Sequence, residues 1–208
     1  NFMTRNKIGT TFLIKTIKGL LKQAVLDSHP KILVPKYLSK SKNTIQINEE
    51  IYDISNKNIY VIGFGKAGST MAEMVDKIVG KDYINDGLVI SPKINSNINS
   101  IKIIQSSHPF LSDMSFSAGK KMIEFVDNIP DGSIVLCLVS GGGSALLALP
   151  ENGIGYSEKI NFFEFLLFQG LSEIDQNIIR KAISSIKGGK LAKRLKNKIL
   201  INLVIMDN

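Results

Sequence analysis

A buried strand that runs straight into glycine and then into a helix occurs twice in this chain, and few architectures accommodate that arrangement. Asn58–Gly65 reads NIYVIGFG and continues as KAGSTMAEMV; Ser133–Ser140 reads SIVLCLVS and continues as GGGSALLAL. Apolar runs without polar alternation suit strands covered on both faces, as in a parallel sheet. Around them strands and helices alternate, with strands expected at 58–65, 87–91, 101–106, 133–140 and 199–207. Helices are expected at 67–79, 113–127, 157–169, 173–185 and 189–196. The alternation predicts an α/β fold: a doubly wound, mostly parallel, Rossmann-like sheet with helices on both faces. A helix over 8–26 is added in front, His29–Ser39 with its two prolines reads as a connection, and TIQINEE with IYDIS as a hairpin. Residues 1–57 are thus expected to form an N-terminal helix and connecting segment packed on the main domain, residues 58–208. The stop directly after a strand predicts that this domain is cut from a larger protein.

Both glycine runs fall at strand carboxyl ends, where doubly wound sheets bind their ligands. A helix start carries unpaired N–H groups and positive dipole character, and glycine lets an anion come close to them. Each loop therefore reads as a cradle for phosphate or carboxylate. The formal net charge of +8 supports attraction of small anions. Nucleic acid is not expected as a partner, since no recognised module is present and no aromatics interleave with the basic residues. A membrane is not expected either, because lysines recur through the longest apolar stretch. The single cysteine, Cys137, sits inside an apolar run and reads as a reduced core residue of a cytoplasmic protein.

The motifs narrow the chemistry. Gly63-Phe64-Gly65-Lys66-Ala67-Gly68 satisfies G-x-G-x-x-G between strand and helix, the context of a dinucleotide-binding fingerprint. The second strand, however, runs into Ser91-Pro92-Lys93 where a ribose-binding acid should stand, and Lys66 places an ammonium in the turn. Ser140-Gly141-Gly142-Gly143-Ser144 is neither a Walker A loop nor a nucleophile elbow. Three successive glycines weaken a fold unless the backbone must approach something closely, and Ser144 is placed to cap the following helix. Asn177, Arg180 and Lys181 share a helical face, and Lys187 precedes a glycine pair, a set that suits a polyphosphate or carboxylate. His108 stands at a strand end; Asp207, at the end of the last strand, could hold Mg²⁺ through nucleotide phosphates.

Taken together, GFGKAGSTMA (63–72), HPFLSDMSFSAGKK (108–121), LVSGGGSALLALP (138–150) and NIIRKAISSIKGGKLA (177–192) resemble the class II glycerate 2-kinase family on the side of its N-terminal, DUF4147-type domain. The resemblance implies ATP- and Mg²⁺-dependent phosphorylation of D-glycerate at its 2-hydroxyl. It also implies a C-terminal, MOFRL-type domain beyond this chain and an active site between the two. On that reading Lys66, Arg180 and Lys187 are catalytic, and Asp207 takes the metal. Gly63, Gly65, Ser140, Gly141, Gly142, Gly143, Ser144, His108, Asn177 and Lys181 bind substrate or phosphate, and either loop can serve ATP or glycerate. The chain departs from the family at Ala182, where members usually carry His, and at Met206-Asp207-Asn208, where they continue as Ser-Asp-Val. The expected partners are D-glycerate or a related hydroxy acid, ATP and the missing domain, and a homodimer is compatible. The alternatives are an NAD(P)-dependent hydroxypyruvate or hydroxy-acid reductase, resting on the Gly63–Gly68 fingerprint, and a non-catalytic anion- or nucleotide-binding module.

Overall fold

The computed structural model describes residues 2–95 and 98–206, with side chains from Phe12 onward. A long helix, α1 (Phe2–Asp27), leads into α2 (Pro30–Tyr37). Three short antiparallel strands follow: β1 (Leu38–Ser41), β2 (Thr44–Ile47) and β3 (Glu50–Asp53). The main unit comprises β4 (Ile59–Phe64), α3 (Gly68–Val79), β5 (Ile84–Ser91), β6 (Lys102–Gln105), α4 (Asp113–Asp127) and β7 (Ile134–Ser140). It continues through α5 (Gly143–Leu146), α6 (Tyr156–Phe168), α7 (Glu173–Ala182), α8 (Lys190–Arg194) and β8 (Ile199–Ile205).

The other five strands are all parallel, in the order β6-β5-β4-β7-β8. Alternation along each strand divides the core into two layers. Val61, Leu136 and Leu138 face the layer that holds Met71, Ala72 and Val75 of α3; Ile62, Val135 and Cys137 face the layer that holds Ala118, Met122 and Val126 of α4. Helices on both faces of a parallel sheet are what the strand–helix alternation predicts. Burial pushes the Cys137 thiol up to about 12, consistent with an inert core residue.

Helix α4 occupies the predicted span, and its start is written in the sequence. The Ser112 hydroxyl accepts from the Met114 amide at 3.2 Å, while the Ser115 hydroxyl accepts from the Ser112 amide at 3.1 Å. Two local expectations are corrected. The stretch at 29–39 is not a bare connection, since it contains α2. His29 caps this helix through Nδ1, which accepts from the Lys31 amide at 3.2 Å, and Pro30 sits in the first turn, where its missing N–H costs nothing. The helix after the GGG run is only the single turn of α5, because the chain straightens at Leu147 and bridges from Pro150 to Ser184.

Candidate active site

Strand order reverses at β4: the chain goes from it to β5 and β6 on one side and returns to β7 and β8 on the other. The β4 and β7 tips are therefore adjacent at the switch point of the sheet, and the two glycine loops touch. The Lys66 amide donates to the Gly141 carbonyl at 2.8 Å, and the Ala67 amide donates to Ser140 Oγ at 3.0 Å. The Gly65 amide donates to Ile90 O at 3.1 Å, and the Gly68 amide to Gly65 O at 3.0 Å.

The first loop is thus not an anion cradle lined with free amides, as the glycine pattern suggested. Its N–H groups from Gly65 to Gly68 have acceptors within the protein. Its glycines serve close packing instead. A Cβ on Gly63 would stand 2.8 Å from the Leu138 carbonyl, and one on Gly65 would enter the Ser140 backbone. Ser140 Oγ, already accepting from Ala67 and buried, latches the loops together. Removing that hydroxyl in Ser140→Ala is expected to cost about 1 kcal/mol of unfolding free energy, measured by urea denaturation. An unchanged midpoint would show that the latch contributes nothing.

The second loop differs. Among the described residues, the amides of Gly143 and Ser144 have no protein acceptor. Gly142 caps α5 in the left-handed region at φ +88°. This corrects the expectation that Ser144 caps the helix, since Ser144 lies inside α5. Only a residue without a side chain fits at Gly142, because a Cβ would lie 2.8 Å from His108 Nε2 and 3.1 Å from Lys66 Cγ. Gly143 is pressed equally closely, its would-be Cβ 2.8 Å from the Phe64 ring.

Over this loop opens a cavity of about 410 Å³ lined by Lys66, His108, Gly141–Ser144, Phe163, Glu173 and Arg180. The Arg180 guanidinium lies 4.3 Å over the Phe163 ring and donates to Gln176 Oε1 at 2.6 Å. Its Nε is buried with no acceptor among the described residues. Burial lowers the Arg180 pKa, opposed by the Glu173 carboxylate. Neither Phe163, hidden in the apolar run FFEFLLF, nor Glu173, in the first turn of α7, stands out in the sequence.

Other expected site residues stand elsewhere. The half-buried Lys187 sits behind the loop, its ammonium donating to the carbonyls of Gly143 at 3.0 Å and Leu147 at 2.9 Å. The exposed Lys181 packs against Gly188, and neither it nor the half-exposed Asn177 lines the cavity. Asp207 lies outside the described residues. Among those described, no three His, Cys, Asp or Glu side chains gather as a metal site.

Burial, with Lys159 and Arg180 nearby, pushes Lys187 down from 10.5 to about 7. The folded state then binds fewer protons than the unfolded state between pH 7 and 10.5, so this group makes stability rise with pH across that window. In urea unfolding, the stability difference between wild type and Lys187→Met is expected to widen in favour of wild type over the same window. A pH-independent difference would refute the assignment.

A family model described as a domain of unknown function, DUF4147, matches residues 16–207. The chain belongs to this family. A glycerate 2-kinase of Picrophilus torridus is 29% identical over 203 residues, 97% of this chain and 47% of the relative. A relative from Agrobacterium vitis, carrying the provisional name hydroxypyruvate reductase, is 37% identical over 71% of this chain and 38% of its own length. The crystal structure of the PH0495 protein of Pyrococcus horikoshii superimposes with a TM-score of 0.78 at 30% identity, covering 94% of this chain and 45% of that one. The chain spans about half the length of the curated relatives it matches. Among the described residues of this family member, no helix is long and apolar enough to cross a membrane.

Proposed function

We propose that this chain is the N-terminal part of an ATP-dependent D-glycerate 2-kinase whose anionic substrates are gripped at the joined tips of β4 and β7. The observation that carries the reading is one cavity lined by Lys66, Arg180 and the loop whose Gly143 and Ser144 amides have no acceptor among the described residues. A site of this kind favours phosphoryl transfer, which asks a protein for positioning and charge stabilisation more than for a nucleophile. Amides fixed on a rigid loop hold a phosphate or carboxylate without reorganising, and two flanking cations balance charge that accumulates as the phosphoryl group moves. Lys187 contributes through the loop, holding the Gly143 and Leu147 carbonyls from behind. Mg²⁺ travelling with the nucleotide would add neutralisation between its phosphates.

The test is incubation of the full-length protein with ATP, Mg²⁺ and D-glycerate, followed by separation of 2- from 3-phosphoglycerate. Formation of 2-phosphoglycerate is expected, whereas this chain alone is expected to bind phosphate compounds without turnover. A second reading, hydroxypyruvate reduction, is favoured by the name of the Agrobacterium vitis relative. The engaged amides of Gly65–Gly68 weigh against it, since a dinucleotide pyrophosphate would need them. Oxidation of NAD(P)H by hydroxypyruvate, without ATP-dependent product, would replace the kinase reading with this one.

A further inference from the structure

Lys159, in the first turn of α6, is a charged side chain only 4% exposed, and neither the sequence motifs nor the cavity account for it. Burying an ammonium is costly unless its protons are bonded, so the position of its acceptor carries information. Nζ donates to the carbonyl of Ile183 at 2.8 Å, the residue that closes α7. Four residues further along α6, on the same helical face, Phe163 supplies the ring under the Arg180 guanidinium. The carboxyl end of α7 is therefore gripped by α6 at two points: at the side chain of Arg180 and at the main chain three residues beyond it. A cation against a terminal helix carbonyl is also favourably placed in the field of the helix.

The grip extends to the glycine loop. Beyond Ile183, the Ser184 hydroxyl donates to Leu149 O at 3.2 Å, the Ser185 amide donates to the same carbonyl at 3.3 Å, and the Glu151 amide donates back to Ile183 O at 3.1 Å. Lys187 then reaches the Gly143 and Leu147 carbonyls. We propose that Lys159 is a positioning residue: by anchoring the Ile183 carbonyl it fixes both Arg180 and the Ile183–Lys187 turn against the anion-binding loop. Its bearing on ligand affinity rests on the anion-site reading; its hold on Arg180 does not.

The charged groups facing Lys159 are Glu151, which favours its protonated form, and Lys190 and Lys187, which oppose it. Lys190 is itself held by Glu151 and the Ser184 carbonyl, each at 2.5 Å. Burial above all, with Lys190, brings Lys159 down to about 8. Raising the pH through this value removes the charge from the anchor.

The experiment is a series of two-dimensional ¹H–¹⁵N spectra of wild type, Lys159→Met and Lys159→Arg, reading the Arg180 Nε–Hε signal and the Gly142–Ser144 amides during titration with inorganic phosphate. In Lys159→Met the Arg180 signal is expected to shift or broaden before any phosphate is added. Half-saturation of the loop amides should need about tenfold more phosphate, the scale of losing one charge-assisted hydrogen bond. Lys159→Arg should restore both, and in wild type the Arg180 signal should move as pH passes 8. A wild-type Arg180 signal and phosphate curve in Lys159→Met would overturn the proposal. Should that variant not fold, an Arg180 signal in wild type that ignores pH between 7 and 9 would do the same. If wild type shows no phosphate-induced shift at Gly142–Ser144, the anion-site reading fails, while the phosphate-free Arg180 signal still decides the role of Lys159.

Discussion

Lys66→Met in the full-length protein is expected to lower ATP-dependent formation of 2-phosphoglycerate by roughly 100- to 1,000-fold, the range seen when one preorganised charge-stabilising donor is removed. Methionine keeps an unbranched apolar stem of similar length, so packing of the side chain beside Gly142 is largely retained. The Lys66 main-chain bond to the Gly141 carbonyl does not depend on the side chain. What is lost is the ammonium on the cavity wall. Arg180 cannot move over to replace it, since Gln176 and Phe163 hold its guanidinium in place. The measurement is kcat and KM with ATP and D-glycerate, alongside a urea unfolding curve. Near-normal turnover with an unchanged unfolding midpoint would remove Lys66 from the chemistry.

The largest effect on stability is expected from Gly65→Ala, a loss of at least about 3 kcal/mol, a large share of the stability of an ordinary domain. Gly65 holds φ at +139°, a region that residues with a Cβ rarely adopt. A methyl there would also meet Ser140, whose carbonyl oxygen and carbon would lie 2.5 and 2.7 Å away. Because these are main-chain atoms of a central strand, the conflict cannot be relieved by a rotamer change. The double substitution Gly65→Ala with Ser140→Gly removes the hydroxyl but not the carbonyl and is expected to stay destabilised. Recovery of wild-type stability in the double variant would show that only the serine side chain is in the way.

How far the sequence was readable follows from the range of the interactions that decide each feature. The parallel strands announce themselves because a doubly covered strand must be apolar throughout, as Val61–Ile62 and Leu136–Leu138 are. Helix α4 was readable to the residue because Ser112 and Ser115 form a local cap. α2 was missed because two prolines in eight residues suggest a broken chain, although Pro30 falls where a helix tolerates it. At the site, the pattern of glycines identified the contact between loops but not its purpose. Whether an amide is free depends on partners far along the chain: Ile90, Ser140 and Gly141 engage the first loop, and the second is left open. The same holds for Lys187, whose direction is set by two carbonyls some forty residues earlier.

The bond between the Ala67 amide and Ser140 Oγ spans 73 positions, a far longer separation than that between β4 and its neighbour β5. Contacts between distant parts of a chain pay a larger loop-closure cost and tend to come late in folding. The cleft is accordingly expected to be among the last things the polypeptide completes. A half-assembled chain would display the β4–β5 ladder with nowhere to seat an anion, so the capacity to bind would report on finished folding rather than on secondary structure alone.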